Sequence, residues 1–172
     1  MVVVCGIDPG LKGGVGFLDG KTGAIIEHHV MPAHMGELAT LLTSWRDKCG
    51  ARGLFVFCER AQVMSKPGAK PQGICSMFNY GVGYGTILGI LITLRIPYEL
   101  IPPVSWTRLM HAGLPLDLPP KAKSLMVARR LFPGETFIAT ARSRVPHDGL
   151  IDADLIAEYG RRRLNPSYIA PL

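Results

Sequence analysis

Residues 1–16 constrain the fold more than any other stretch: an apolar run stops at a carboxylate, turns at once and comes back. Val2, Val3, Val4 and Ile7 have the β-branched density of a buried strand. Asp8 ends that run and Pro9-Gly10 turns it. After Lys12-Gly13-Gly14, the segment Val15-Gly16-Phe17-Leu18 reads as a second strand paired on the first. An Asp held at a sheet edge by a buried strand either anchors a metal ion or faces a substrate. The alternative is an Asp that caps its own turn through the backbone.

The remaining elements follow in legible order. Strands are expected at 2–8, 14–19 and 24–30, the last two joined by Asp19-Gly20-Lys21-Thr22-Gly23, so the chain opens with an antiparallel meander. A helix follows at 35–49, with Leu38, Leu41, Leu42 and Trp45 along one face. Leu54-Phe55-Val56-Phe57-Cys58 reads as a buried strand ending in Glu59, followed by a polar loop to Gln72. A long, glycine-rich apolar helix is expected at 73–94, a short strand at 97–101, and helices at 103–112, 120–132 and 148–163. With no repeats and no linker, the expectation is a single domain over 1–172: an α/β fold with a mixed five-stranded sheet, its first three strands antiparallel, and helices on both faces.

Length and charge narrow the function. A chain of 172 residues, 48% hydrophobic and 19% charged, can bury one real core. Its net charge of +6 favours a polyanionic partner such as nucleic acid. Cys5, Cys49, Cys58 and Cys75 form no CxxC pair, so neither a zinc site nor a disulfide framework is indicated. No signal peptide is read at the N-terminus and no apolar run is read as long enough to span a bilayer, giving the expectation of an intracellular, cytoplasmic protein without a membrane partner.

Three carboxylate positions then line up. If the strands ending in Asp8 and Glu59 are neighbours, both acids sit at one sheet edge. In the last helix Asp148 and Asp152 are four apart and share a face, whereas Asp154 points elsewhere. Paired acids at that spacing repel unless a cation lies between them, and a hard divalent ion with oxygen ligands such as Mg²⁺ would resolve this. The alternative is that Asp148 caps the helix and Asp152 is a solvated first-turn acid.

In these residues the chain resembles the RuvC-type Holliday junction resolvases of the ribonuclease H-like superfamily. The resemblance is carried by Cys5-Gly6-Ile7-Asp8-Pro9-Gly10, the strand closing on Glu59, and Asp148-x-x-x-Asp152-Ala153. Ser76-Met77-Phe78-Asn79-Tyr80-Gly81, Tyr84-Gly85, Ile101-Pro102-Pro103-Val104-Ser105-Trp106, Lys121-Ala122-Lys123-Ser124 and Arg130-Leu131-Phe132-Pro133 look closest to its phage-encoded branch. The likeness runs in order through nearly the whole chain. It implies a homodimeric endonuclease that resolves four-way DNA junctions with two Mg²⁺ ions per active site, Mn²⁺ being a possible substitute, and with no nucleotide cofactor. Asp8 would bridge the two ions, Glu59 would bind on one side, and Asp148 and Asp152 would complete the set. The family commonly has an acid or His three residues before the final Asp, where this chain has Gly149, so the fourth ligand falls to Asp148, with His147 as the alternative.

The same resemblance assigns Lys121 and Lys123 to phosphate contact or catalytic support, and places Lys66 and Lys70 on a loop that meets the junction. Arg108, Arg129, Arg130, Arg142 and Arg144 are candidates for DNA-backbone contacts. Phe78 and Tyr80 are candidates for base stacking, with core packing as the alternative. Arg161-Arg162-Arg163 reads as a solvated helix end, and His28, His29, His34 and His111 receive no role. Gly81, Gly83, Gly85 and Gly89 weaken an isolated helix and make sense where another backbone comes close, either at a dimer interface or inside the subunit. Other readings are one lobe of a sugar kinase or actin-type ATPase, a nuclease for other branched DNA or RNA, and a catalytically silent junction binder.

Overall fold

In a computed structural model of the chain, residues 1–50, 52–61 and 73–164 are described. Lys66 and Lys70 lie outside the described residues. The chain runs β1 (Val3–Asp8), β2 (Gly14–Asp19), β3 (Ile25–Val30), α1 (Met35–Cys49), β4 (Leu54–Glu59), α2 (Ile74–Thr93), β5 (Tyr98–Ile101), α3 (Pro103–Met110), α4 (Pro120–Leu131) and α5 (Asp148–Leu164). The strands form one mixed sheet in the order β3-β2-β1-β4-β5. β1, β2 and β3 are antiparallel, and β4 and β5 continue the sheet parallel to β1. The expected fold and element order are observed. Pro103 and Pro120 each start their helix at a position where a missing N–H costs nothing.

Side-chain alternation sorts the core into two layers. Val3, Cys5 and Ile7 of β1 and Val56 and Cys58 of β4 pack with α1 and α2. Val4 and Phe57 pack on the opposite face with α3, α4 and α5. By the same alternation Asp8 and Glu59 belong to the second face. There α5 lies directly on β1 and β2, and most of its side chains are buried. A Cβ on Gly6 would collide with the backbone of Ala153 and Ala157, and one on Gly149 with the backbone of Lys12 and Gly13. The helix therefore touches the sheet backbone to backbone.

Burial of α5 corrects two sequence readings. Arg161 is 3% exposed, not solvated: its Nε donates to Glu158 Oε2 at 2.6 Å and its NH2 to Oε1 at 2.9 Å. Arg162 donates to the same carboxylate, and only Arg163 keeps a half-exposed position, beside Glu99. The reason is that α5 is central, so its last turn is still covered. Asp154 is fully buried and binds His28 Nδ1 at 2.7 Å, which ties α5 to β3 and gives His28 a structural role.

α2 corrects two more. A Cβ on Gly81, Gly83, Gly85 or Gly89 would meet nothing within 4 Å, so packing inside the subunit does not explain these glycines. Only Ile87 and Leu91 of the helix are buried. Contrary to the reading that no apolar run is long enough, α2 has the length and hydropathy to cross a membrane, with 20 residues and a mean hydropathy of 1.3. Glycine and polar residues within the helix hid that total.

Candidate active site

β1 and β4 place the first two carboxylates. In their parallel register Ile7 lies opposite Cys58, and the next residue on each strand is acidic. Asp8 and Glu59 thus leave the same edge on the same face. The Asp8 carboxylate also accepts the Gly10 backbone N–H, so the turn-capping reading holds locally alongside the clustered one. Burial nevertheless pushes its pKa up to about 6. Burial likewise raises Glu59, with a further push from Asp8 and an opposing pull from the Trp106 indole.

α5 brings the other two. Asp148 opens the helix and Asp152 stands one turn further, above the same edge. Asp152 is pushed up to about 7, by burial first and then by the charge of Asp8, with Glu59 and Asp148 adding to the repulsion. A hydrogen bond from Ser124 acts the other way. All four acids therefore share one field, and Asp152 is no solvated first-turn acid. His147 serves the start of the helix instead. Its carbonyl accepts the Leu150 and Ile151 N–H groups, and its Nδ1 faces the Leu150 N–H at 3.4 Å. Of the alternatives for the fourth acid position, Asp148 is the one beside Asp152.

The donors are all hard oxygens under mutual repulsion, the arrangement a divalent cation relieves. Among the described residues no three His, Cys, Asp or Glu side chains already close around one point, so the acids adjoin without forming a finished cage. Lys121, exposed, donates an ammonium N–H to Asp148, and that hydrogen bond, followed by the carboxylate's charge, raises the Lys121 pKa. Lys123 instead donates to the Leu116 carbonyl at 3.2 Å and borders His111.

The remaining candidates are spread more widely. Arg108 on α3, Arg129 and Arg130 on α4, and Arg142 and Arg144 in the segment before α5 are all exposed. Phe78 is 70% exposed, so core packing does not account for it in the isolated chain. Tyr80 is half-buried, on the α2 face that continues to Tyr84, Ile87 and Leu91. Burial raises its hydroxyl to about 12, and Asp8 and Glu59 add to the effect, which puts the ring near the acids.

Sequence reasoning missed Trp106, Ser124 and His111. Trp106 Nε1 donates to Glu59 Oε2 at 2.6 Å, and His111 Nε2 lies 3.1 Å from Ser124 Oγ. Ile101 pairs beside Glu59, so the helix starting at Pro103 carries its first inward aromatic over that acid, a placement that depends on strand register.

Solved structures resemble the whole chain. A Thermus thermophilus RuvC structure aligns with a TM-score of 0.62 and 19% identity, over 95% of this chain and 96% of that one. T. thermophilus RuvC in complex with a Holliday junction substrate aligns with a TM-score of 0.61 and 16% identity, over 96% and 97%. No protein-family model and no curated protein matches the sequence. At these identities the likeness is one of fold, and the fold is that of RuvC: ribonuclease H-like, with a mixed open five-stranded sheet.

Proposed function

We propose that this chain is a structure-selective endodeoxyribonuclease that resolves four-way DNA junctions by paired symmetric nicks. One observation carries the reading: β1, β4 and α5 bring Asp8, Glu59, Asp148 and Asp152 to a single sheet edge, where they repel one another. In a basic chain with this fold, such acids are out of place against a phosphate backbone unless cations stand between. The fold likeness to a RuvC in complex with a Holliday junction substrate supports branched DNA as the partner.

In this reading the four carboxylates hold two Mg²⁺ ions, with Mn²⁺ able to replace them. Bound there, such ions supply an activated water and stabilise the leaving oxygen of a phosphodiester. The chain's own groups do the rest. Asp8 ends β1, the strand that adjoins β4 and lies under α5, so it would be the acid common to Glu59 and the α5 pair. Lys121, now on Asp148, is free to turn to a phosphate once that carboxylate is engaged, and Lys123 supports the same end of α4. Arg108, Arg129, Arg142 and Arg144 contribute affinity without sequence information. Tyr80, beside the acids, and the exposed Phe78 meet DNA at the opened branch point. The working unit is a homodimer through α2, acting inside the cell.

The test is cleavage of end-labelled four-way junction, duplex, flap and single-stranded DNA with Mg²⁺ or EDTA, beside Asp8→Asn. Metal-dependent paired nicks confined to the junction, lost in Asp8→Asn while junction binding persists, are expected. Equal cutting of every substrate would remove the junction assignment. Tight junction binding without cleavage under any metal would make the chain a silent binder.

A further inference from the structure

A carboxylate binds an ion well only if the right oxygen is free and the group cannot swing away, and donors behind the ligands usually secure both. Here α3 and α4 provide such donors. Trp106 is 3% exposed, and its ring is fixed in the core formed by α3, α4 and α5. Its N–H reaches Glu59 Oε2 at 2.6 Å. Beside it His111 meets the Trp106 ring edge-on, with centroids 6.1 Å apart, and its Nε2 lies 3.1 Å from the buried Ser124 hydroxyl. That hydroxyl bonds Asp152. With Ser124 donating to Asp152, its oxygen is left to accept from His111.

We propose that Trp106 is a positioning residue for the acidic cluster: its indole N–H occupies Oε2 of Glu59 and leaves Oε1 as the oxygen offered to a divalent cation. Ser124, held by His111, restrains Asp152 in the same way. This rests on the nuclease reading above and adds to it how the ligands are held. An indole suits this role because it donates without carrying charge. A lysine or arginine at that place would orient Glu59 equally well but would neutralise the charge that attracts the ion.

The protein contains two tryptophans, which makes the proposal directly readable. Trp45 lies on the opposite face of the sheet, stacked on Phe17. In the full-length Trp45→Phe variant, emission reports Trp106 alone. Titration with Mg²⁺ should give a saturable change in that emission, and Glu59→Gln in the same background should abolish it. Separately, Trp106→Phe keeps the ring and removes the donor. It should fold and bind junction DNA as the native chain does, with KM for DNA unchanged, kcat reduced, and the half-saturating Mg²⁺ concentration raised about tenfold.

Absence of any Glu59-dependent emission change would overturn the proposal, and so would a Trp106→Phe enzyme with native Mg²⁺ dependence. If Trp106→Phe fails to fold, the emission titration decides, because it leaves Trp106 in place. A Glu59-dependent signal in a protein that cuts no DNA would uphold the positioning and sink the nuclease reading.

Discussion

A buried carboxylate among other carboxylates keeps its proton, and this sets the response to pH. Asp8 and Asp152 titrate near 6 and 7 in the folded chain but near 4 when unfolded, by the usual value for Asp. Between those limits the folded state binds more protons, so stability falls as pH rises through the window. Buried Asp154, raised to about 6, acts in the same sense; His111, lowered by burial, opposes it, whereas exposed Asp19, held low by the Thr22 backbone N–H, changes its charge only below this window. The melting temperature in EDTA should therefore drop from pH 5 to pH 8, Mg²⁺ should restore part of it at pH 8, and Asp152→Asn should flatten the slope. A melting temperature that climbs across this range would contradict the shared field. The four acids were legible in the sequence because Asp8 and Glu59 close strands, Asp148 opens a helix and Asp152 follows one turn on, positions that local pattern reveals. Trp106, Ser124 and His28 were not, because their partners are set by strand register and helix packing, which no local window contains.

At the scale of elements, α5 decides whether the site exists. It carries two of the four acids and rests on β1 with no side chain between them at Gly6. Gly6→Ala forces a Cβ into the Ala153 carbonyl and must lift the helix. The expected cost is about 3 kcal/mol, at the high end for overpacking because the obstacle is backbone. Thermal melting checks the stability, and Mg²⁺ titration checks the separation of Asp152 from Asp8; a fully native variant would show that the helix does not sit as described. All ten elements were expected within a residue or two of where they are found, since apolar period and Pro-Gly punctuation mark their ends. Burial along them was read less well. The basic end of α5 looked like a solvated face, because charge pattern alone cannot tell that a helix is central and that Glu158 waits for Arg161.

For the whole molecule, α2 is the element that the isolated chain leaves uncovered, with only Ile87 and Leu91 buried. Gly81, Gly85 and Gly89 recur every fourth residue on an exposed stretch that also carries Phe78 and Ile92. Under the proposed pairing of two copies through this helix, Gly85→Leu should weaken the dimer by about tenfold or more, as an overpacked contact would. Sedimentation at several concentrations reads this; a protein already monomeric before substitution would remove the dimer from the proposal. The chain's order has one more effect, on its synthesis. Asp8 and Glu59 leave the ribosome early, but the helix that completes their cluster is the last described element and lies across the first strand. At ordinary rates of elongation, roughly 5–20 s separate the emergence of Glu59 from that of Asp152. Nascent fragments carry acids without a site, so whatever cleavage the protein performs begins only after translation has passed α5.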